Sequence, residues 1–376
     1  MKKIIYILTE NLNLGVIKSQ VISHINFLEE NKIAKVDILF CYWSSEELRK
    51  TKEFLLINKN LNFSVYFLRI YRPLLFFFGP INRNRIKYKL DKLEKFDYIH
   101  ARTDFCVSLV KNLKKHGAKI IWDCRGDSAA ELDHSKFVMF KDIRKKILDY
   151  RFFSAIKVCS KIICVSSFLK KKIKKNTQKY KKIFVIPSVA SKKLFYYDPK
   201  LRNRTRKSLL LKQKTVVFIY VGGLQNYQKF PNTLNAYERL RYRNKNSVLI
   251  ILTQDLSIPD YISSRDDIII KSVDIKQVNR FLNAADYGFC IRDNNEANKA
   301  GSPTKFAEYC LTGLDIITSK PLKNYIYSDE SVNNIFDYKD FDIKLKSNLQ
   351  REKIANYYNK RVSRESFKKA YIECYD

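Results

Sequence analysis

At 376 residues, with 45% hydrophobic and 14% aromatic residues, the chain is long enough for two packed domains, and nine glycines and eight prolines exclude a low-complexity protein. Lys and Arg outnumber Asp and Glu by 72 to 38, and the resulting charge of +34 predicts an anionic partner without choosing among nucleic acid, an acidic membrane surface and phosphorylated substrates. The eight cysteines form no C-x-x-C pair and no metal-like spacing with the four histidines, which favours a reducing cytosol over a disulfide scaffold.

Apolar runs of strand length alternate with helical patterns through the first half of the chain. The predicted strands are residues 4–8, 36–40, 63–68, 98–100, 118–122, 161–166 and 183–187. Predicted helices between them include 17–31, 104–116 and 137–159. This alternation is typical of βαβ units and predicts a parallel sheet.

The alternation restarts after residues 188–203, which show no clear period and are the predicted linker. The second series of strands is 215–223, 247–253, 267–272, 287–292 and 314–319, and 357–375 is a predicted terminal helix. We therefore predict an α/β domain at 1–188, a second at 189–356, and a final segment, 357–376, that packs back towards the first domain. Open α/β sheets bind ligands beyond the carboxyl ends of their strands, so a site is expected in the cleft between the domains.

The segment AGSPTKFAEYCLTG, residues 300–313, has the pattern of a short helix with an unusual first turn. Ser302 and Pro303 are the predicted N-cap and first helical residue, and Gly313 is the predicted residue after the C-cap. Lys305 then places a cation where the helix end is already positive. Helical spacing puts Lys305, Glu308 and Thr312 on one face, and one interpretation is a solvated face on which Lys305 and Glu308 form a surface pair.

The position of this helix favours a second interpretation, an anion site. Because the helix follows strand 287–292 through a polar loop, its N-terminus is expected at the carboxyl edge of the sheet. Backbone N–H groups there, with Ser302, Thr304 and Lys305, would hold a phosphate. One turn further on, Glu308 would accept hydrogen bonds from ribose hydroxyls, so the pattern predicts a nucleotide lying along the helix.

Charged residues also follow two strands of the first half. Asp123, Arg125 and Asp127 come after the fifth predicted strand, and His100 and Arg102 end the fourth. Charged groups at strand ends are candidates for contacting a substrate or orienting a site, and a solvated, capped loop is the alternative.

A family resemblance connects these features. The run ADYGFCIRDNNEANKAGSPTKFAEYCLTGLDIITS (285–319) resembles the donor-binding region of family 4 glycosyltransferases, which have the GT-B fold. Residues 14–30, IIWDCRGDSAAEL (120–132) and VFIYVGGL (217–224) are similar to other parts of the polysaccharide-building members. The resemblance implies an α/β protein of two Rossmann-like domains whose parallel sheets face across a cleft. It also implies a retaining enzyme that moves a sugar from a UDP- or GDP-sugar to a glycan or a polyprenyl-diphosphate-linked oligosaccharide, in bacterial surface polysaccharide synthesis.

The resemblance also implies roles for individual residues. Glu308 would bind the donor ribose, and Lys305 would hold the diphosphate together with the backbone of residues 301–304. The implied donor-binding residues are Gly15, Gly222, Gly223, Gly301, Ser302, Thr304, Lys305 and Glu308. The predicted catalytic residues are Lys305, Arg292, Asp123 and His100.

Two departures from the family pattern fall where the donor sugar and its phosphates would lie. Many members carry glutamates eight positions apart, but the residue eight positions before Glu308 is Ala300. The Arg and Lys that usually follow the glycine-rich loop are replaced by GGLQNYQKF, which offers Gln228 or Lys229.

The expected mechanism needs no metal and no tightly bound cofactor. No carboxylate pair stands out as nucleophile and acid/base, so a front-face route assisted by the departing diphosphate is favoured. Lys305 and the helix end would stabilise that leaving group. The chain has no D-x-D run near a strand end to hold a metal ion.

The location predicted from the sequence is the cytoplasm, at the inner face of the membrane. The N-terminal run KKIIYIL is too short for a signal peptide, and no stretch reaches the roughly 18 to 20 apolar residues of a bilayer span. Residues 67–89 mix aromatic residues with Arg and Lys, and eight lysines lie between 170 and 182, which predicts contact with an anionic membrane surface. A buried segment with a basic flank is the alternative for 67–89.

Two other functions fit parts of the pattern. A nucleotide-sugar epimerase or a phosphorylase would keep the fold and change the reaction. A nucleic-acid-binding protein would use the +34 charge, but dispersed lysines and the lack of a recognisable binding module disfavour it.

Overall fold

The computed structural model describes residues 1–376 except 13, 60, 72–77, 114–116, 134–139, 178–180, 225–228, 256–257, 320–333 and 340. The chain divides into two compact units. Unit 1 comprises Met1–Pro187, Ala300–Ser302 and Phe367–Asp376, and unit 2 comprises Ser188–Lys299 and Pro303–Ser366.

Unit 1 contains a seven-stranded parallel sheet with the order β3-β2-β1-β4-β5-β6-β7. Its strands are β1 Lys2–Leu8, β2 Ala34–Tyr42, β3 Val65–Arg69, β4 Tyr98–Arg102, β5 Lys119–Cys124, β6 Lys161–Cys164 and β7 Lys182–Val185. Alternate residues of β1 enter different cores, with Ile5 on one face of the sheet and Tyr6 on the other. The strand order reverses direction between β1 and β4, and such switch points are where open α/β sheets bind ligands.

Helices cover both faces of this sheet. The helices that precede β7 in the chain are α1 Gly15–Ile17, a π-helical turn Lys18–Ile22, α2 Ser23–Glu30, α3 Ser45–Ile57, α4 Phe78–Asp91, α5 Thr103–Val110, α6 Ser128–Leu132, α7 Lys141–Val158 and α8 Ser167–Lys175.

Unit 2 contains a six-stranded parallel sheet with the order β10-β9-β8-β11-β12-β13. Its strands are β8 Val216–Val221, β9 Ser247–Leu252, β10 Ile268–Lys271, β11 Tyr287–Cys290, β12 Asp315–Thr318 and β13 Ile335–Asp337. The helices that follow β7 in the chain are α9 Pro199–Ser208, α10 Phe230–Arg243, α11 Asp260–Ser263, α12 Ile275–Ala284, α13 Glu296–Ala300, α14 Thr304–Leu311, α15 Asn348–Asn359 and α16 Lys368–Tyr375. The switch in strand order lies between β8 and β11.

Asp286 fixes the start of β11 against β8. Its carboxylate accepts hydrogen bonds from Arg202 Nη2 (2.6 Å) and from the backbone N–H of Val217 (2.8 Å). Arg206 Nη1 and Arg351 Nη1 lie 3.5 and 3.7 Å from it. One nearly buried carboxylate therefore joins two strands and two helices, because three guanidinium groups offset its charge.

The twelve strands predicted from the sequence are all present, but three expectations about the rest of the chain are wrong. Strand β13 was not predicted. The last five residues of the predicted linker are the start of α9, where Pro199 opens the helix and the Asp198 side chain accepts from the N–H groups of Lys200 and Leu201. The single helix expected at 357–375 is two helices, since α15 ends at Asn359 and a 3₁₀ turn, Arg364–Phe367, precedes α16.

All eight cysteines lie within the described residues and are buried free thiols. Each occupies the position of a small apolar residue. In the described ranges, no helix is long and apolar enough to cross a membrane.

Candidate functional site

The helix α14 begins one residue later than its sequence suggests. Pro303 occupies the cap position with extended backbone angles (φ −72°, ψ 123°), so the prediction of Ser302 as N-cap is wrong. The other end follows the prediction: Gly313 has φ +68°, its N–H donates to the Cys310 carbonyl, and the Leu314 N–H donates to the Tyr309 carbonyl. This pair of bonds is the Schellman arrangement that ends helices at glycine.

The solvated face proposed for α14 does not exist. Glu308 is only 7% exposed and Thr312 is fully buried. The Thr312 hydroxyl donates to the Glu308 carbonyl (3.0 Å), so the helix satisfies this polar group internally. Phe306 and Cys310 fill the core on the opposite side, and Lys305 itself is half-buried, so the interpretation as an exposed Lys–Glu surface pair is wrong.

Lys305 lies in the first turn of α14 and faces the end of β8. Its Nζ is 4.3 Å from the ring centre of Tyr220, a cation–π contact. The Tyr220 hydroxyl donates to the Gly223 carbonyl (2.6 Å). A Cβ on Gly222 would lie 3.0 Å from Lys305 Nζ, and Gly222 has φ +139°. The backbone angle therefore favours glycine at this position, and the ammonium group of Lys305 lies close beside it.

Burial controls the charge of this region. It lowers the pKa of Lys305 to about 7, an effect that Arg292 strengthens and that Cys290 and Glu308 oppose. It also raises the pKa of Glu308 to about 7 against the attraction of Lys305. A lysine held in this state beside a second cation and the N–H groups of a helix end is suited to binding an anion.

The loop after β8 is held by two polar contacts. The Leu224 N–H donates to Asp255 Oδ2 (2.5 Å), and Lys229 Nζ forms an ion pair with Asp293 Oδ2 (2.8 Å). Gln228, one of the two substitutes considered for the family's basic pair, lies outside the described residues. Lys229, the second of these two substitutes, forms its ion pair with Asp293, which follows β11.

The position of the missing family glutamate is buried. Ala300 has no exposed surface, and its carbonyl accepts a hydrogen bond from Ser166 Oγ (2.9 Å). It ends the short helix α13 in a stretch expected to be a loop. Gly301 and Ser302 follow it and are half-buried.

In unit 1, strand register brings three of the predicted polar residues to one face of the sheet. Arg102 pairs with Asp123 across β4 and β5, and His100 pairs with Tyr6 across β4 and β1. The Tyr6 hydroxyl donates to Asp123 Oδ2 (2.9 Å), and Arg102 Nη1 and His100 Nε2 each lie 3.6 Å from the same oxygen. Arg125 Nη1 lies 3.5 Å from the other carboxylate oxygen.

Burial by itself would raise the pKa of Asp123, but Arg125, His100 and Arg102 together hold it well below its usual range. The carboxylate is therefore ionised across the physiological pH range and acts as a hydrogen-bond acceptor rather than as an acid. Asp123 and Arg102 are nearly buried, so the alternative of a solvated loop is wrong for both.

Three residues of this cluster were not predicted from the sequence. Tyr6 lies inside β1 and reads as a core aromatic. Glu10 follows β1 at its carboxyl end, which is the signal that could have found it; its carboxylate accepts from Arg102 Nε (3.1 Å). Gln20 completes the cluster by accepting from Arg125 Nη2 (3.0 Å).

Two other predicted residues lie outside this cluster. Asp127 has a local structural role, whereas packing does not require a glycine at position 15. The Asp127 side chain caps α6 by accepting from the Ala130 N–H and contacts Lys172 Nζ, which is the capped-loop interpretation. Gly15 begins α1, and a Cβ there would meet no described atom within 4 Å. Its proposed approach to a ligand stays a prediction.

Among the described residues, no group of three or more His, Cys, Asp or Glu side chains is arranged to hold a metal ion.

Comparison with known proteins identifies the fold. No protein-family model and no curated protein sequence matches the chain. Among solved structures, HepE from Anabaena in complex with UDP-glucose is similar with a TM-score of 0.66 and 11% identity, over 99% of both chains. Sucrose-phosphate synthase from Thermosynechococcus elongatus is similar with a TM-score of 0.63 and 12% identity, over 100% of this chain and 92% of that one.

A putative UDP-N-acetylglucosamine 2-epimerase from Listeria monocytogenes is also similar, with a TM-score of 0.51 and 10% identity over 100% of this chain and 90% of that one. These similarities, together with the two parallel sheets, confirm the predicted fold class: the chain has the GT-B fold of two Rossmann-like domains.

Proposed function

We propose that the chain is a metal-independent, retaining glycosyltransferase that uses a UDP-sugar donor and a glycan or polyprenyl-diphosphate-linked acceptor. The observation that carries the proposal is the surroundings of Lys305, a lysine in the first turn of α14 that contacts Tyr220 and lies against Gly222. The similarity to HepE with UDP-glucose supports the choice of donor class.

The donor diphosphate is proposed to bind at the start of α14. Its negative charge would be met by Lys305, by Arg292 and by the N–H groups of the first helical turn, with Gly222 and Gly223 allowing close approach of the backbone. Because burial lowers the pKa of Lys305 to about 7, a bound diphosphate would favour the protonated form and gain strength from it. Glu308, one turn further along the helix, is proposed to accept from the ribose hydroxyls.

The same groups would act on the leaving group. In a front-face transfer, the bond from the sugar C1 to the diphosphate oxygen breaks while the acceptor oxygen bonds to C1 from the same side. The acceptor proton passes to the departing diphosphate. Charge grows on the diphosphate as the bond breaks, and Lys305 and Arg292 would stabilise it there.

The acceptor is proposed to contact the polar cluster of unit 1. Asp123 is ionised and surrounded by donors, so it is suited to orienting hydroxyl groups, and Arg125 is the most exposed side chain bound to it. His100 lies behind Asp123 on the same face of the sheet.

Peripheral binding to an anionic membrane is proposed for unit 1. Ile143 and Tyr150, seven residues apart on one side of α7, are 48% and 61% exposed, and Phe153 is 38% exposed. Arg144 and Lys146 are exposed on the same helix. Apolar side chains beside basic ones are typical of helices that lie on lipid headgroups. Of residues 67–89, the segment 72–77 lies outside the described residues.

A flotation assay tests the membrane proposal. Vesicles with anionic headgroups should retain the protein at low salt, and neutral vesicles should not. The double variant Ile143→Ser, Tyr150→Ser should bind the anionic vesicles more weakly. Equal retention by both vesicle types, or by both proteins, would remove membrane binding from the proposal.

A nucleotide screen tests the donor site. UDP, GDP, ADP and CMP are added singly to the wild type, Lys305→Ala, Glu308→Ala and Lys271→Ala, and binding is measured by calorimetry. Lys271 is an exposed lysine of unit 2 on β10 and serves as the matched control. UDP should bind the wild type and Lys271→Ala and lose affinity in both site variants. If none of the four nucleotides binds the wild type, the donor site is wrong.

The reaction class is decided by product analysis. A UDP-sugar incubated without acceptor should stay intact apart from slow hydrolysis, and addition of an oligosaccharide or lipid-linked acceptor should release UDP. Conversion of the UDP-sugar into an epimer without any acceptor would show that the GT-B fold serves an epimerase here. Retention at the anomeric carbon would be measured from the proton coupling of the product.

A further inference from the structure

The chain's penultimate residue reaches the polar cluster of unit 1. Tyr375 ends α16, and its buried hydroxyl lies 2.9 Å from His100 Nδ1 and 3.1 Å from His24 Nε2. The two histidines come from β4 and α2, so three distant parts of the sequence meet at one oxygen atom. No sequence pattern connects these residues.

The sheet explains why they meet. Tyr98, His100 and Arg102 alternate along β4 and therefore share one face, on which the ring of Tyr6 stacks against the His100 imidazole with centroids 4.2 Å apart. α2 and α16 contribute to the core that covers this face. The imidazole is thus fixed in orientation by stacking on one side and by Tyr375 at Nδ1.

The direction of each hydrogen bond follows from counting protons. Asp123 is ionised and accepts only, and its Oδ2 lies 3.6 Å from His100 Nε2. A lone pair on Nε2 would be repelled by the negative charge of Asp123, whereas an N–H at the same position is attracted by it. In neutral His100 the proton is therefore on Nε2, and Nδ1 is an acceptor.

Tyr375 must then donate its proton to His100 Nδ1. Burial raises the pKa of Tyr375 well above its ordinary value, so the hydroxyl keeps the single proton that it has to give. With that proton committed, the tyrosine oxygen can only accept from His24, whose Nε2 must carry a proton. The chain of bonds runs from His24 through Tyr375 to His100 and points towards Asp123.

We propose that Tyr375 is a positioning residue for the acceptor half of the site: it fixes His24 and His100 as Nε2–H tautomers and holds the His100 N–H towards Asp123. The charge and orientation of Asp123 are thereby coupled to the last turn of the chain. The effect on sugar transfer rests on the proposed function, whereas the tautomers and the hydrogen-bond direction do not.

Nuclear magnetic resonance of the histidine rings tests the tautomers. The chain has four histidines, so ring nitrogens of ¹⁵N-labelled protein can be assigned by removing them one at a time. We expect His24 and His100 to show a protonated Nε2 and an unprotonated Nδ1 at a pH where both rings are neutral. In Tyr375→Phe the His100 Nδ1 resonance should move towards the value of a nitrogen without a hydrogen bond. A protonated Nδ1 on His100 in the wild type, or an unchanged resonance in Tyr375→Phe, overturns the proposal.

Activity measurements test the positioning role. Tyr375→Phe removes only one hydroxyl, so kcat for transfer should fall about 10-fold while UDP affinity stays unchanged. Tyr371→Phe removes a hydroxyl from the same helix and is the control: its ring packs on His24, and it should leave the His100 resonances and kcat close to wild type. Equal kcat values in Tyr375→Phe and the wild type would refute the positioning role. If the wild type neither binds UDP nor transfers sugar, the proposed function is refuted. The assigned tautomers are then still tested by the histidine resonances, which do not depend on that function.

Discussion

Replacing Lys305 by methionine is expected to stabilise the protein and to abolish UDP binding. Burial lowers the pKa of Lys305 from 10.5 to about 7, so below pH 7 the folded protein carries an ammonium group that the unfolded chain would hold at lower free energy. At about 1.4 kcal/mol for each pH unit, the full cost is about 5 kcal/mol. Methionine fills a similar volume without the charge, but it gives up the cation–π contact with Tyr220, worth about 1 to 2 kcal/mol. The expected net gain is therefore about 3 kcal/mol at pH 6.5.

The sign of the pH dependence makes this prediction specific. Because the folded-state pKa of Lys305 lies below its ordinary value, the cost is complete below pH 7 and disappears as the pH rises towards 10.5. The advantage of Lys305→Met should thus shrink by about 3 kcal/mol between pH 6.5 and pH 9. Urea unfolding at the two pH values measures it, with Lys271→Met as the exposed control, expected within about 0.5 kcal/mol of wild type. A Lys305→Met protein less stable than wild type at pH 6.5, or with a gain that does not change with pH, would refute the assigned cost of burial.

Three further predictions concern ligand affinity and packing. UDP affinity should fall as the pH rises from 6 to 8, because Lys305 loses its charge, and the fall should reach about tenfold per pH unit above 7. A UDP affinity that calorimetry finds unchanged over this pH range would contradict the prediction. Gly313→Ala should lower the free energy of unfolding, measured in urea, by about 2 kcal/mol or more, because φ is +68° and the new Cβ would lie 2.3 Å from the Arg351 carbonyl oxygen. Gly15→Ala, whose new Cβ would enter open space, is the near-neutral control. Asp286→Asn should lower the free energy of unfolding by about 3 kcal/mol, because it leaves buried guanidinium groups without their countercharge. A loss below about 1 kcal/mol would show that these guanidinium groups are solvated.

The sequence was sufficient to predict the strands because each central strand is buried on both faces and reads as a short apolar run. Residues 216–221 and 247–252 are examples, with almost every side chain buried. β13 was missed because three residues are too few to show a pattern. The break between α15 and α16 was missed because the residues between Asn359 and Arg364 include neither glycine nor proline.

The site was only partly predictable for a related reason. Helical spacing put Glu308 and Thr312 on a polar stripe, and a polar stripe is usually solvated. In the structure that side is buried, with the Thr312 hydroxyl bonded to its own helix backbone and Arg351 of α15 donating to the Thr312 carbonyl (3.3 Å). The contacts of Tyr375 could not be predicted at all, since 275 residues separate it from His100 and no local pattern connects the two.

A lysine at the start of a buried helix is a choice that weakens the fold. The helix end repels it, and burial disfavours its charge. A diphosphate bound as proposed would reverse both effects, because it would compensate the helix end and favour the protonated form of the ammonium group. On the proposed function, part of the free energy that the charged lysine costs the fold is recovered through its attraction to the ligand. On the proposed function, a more stable protein at this position must therefore be a less active one.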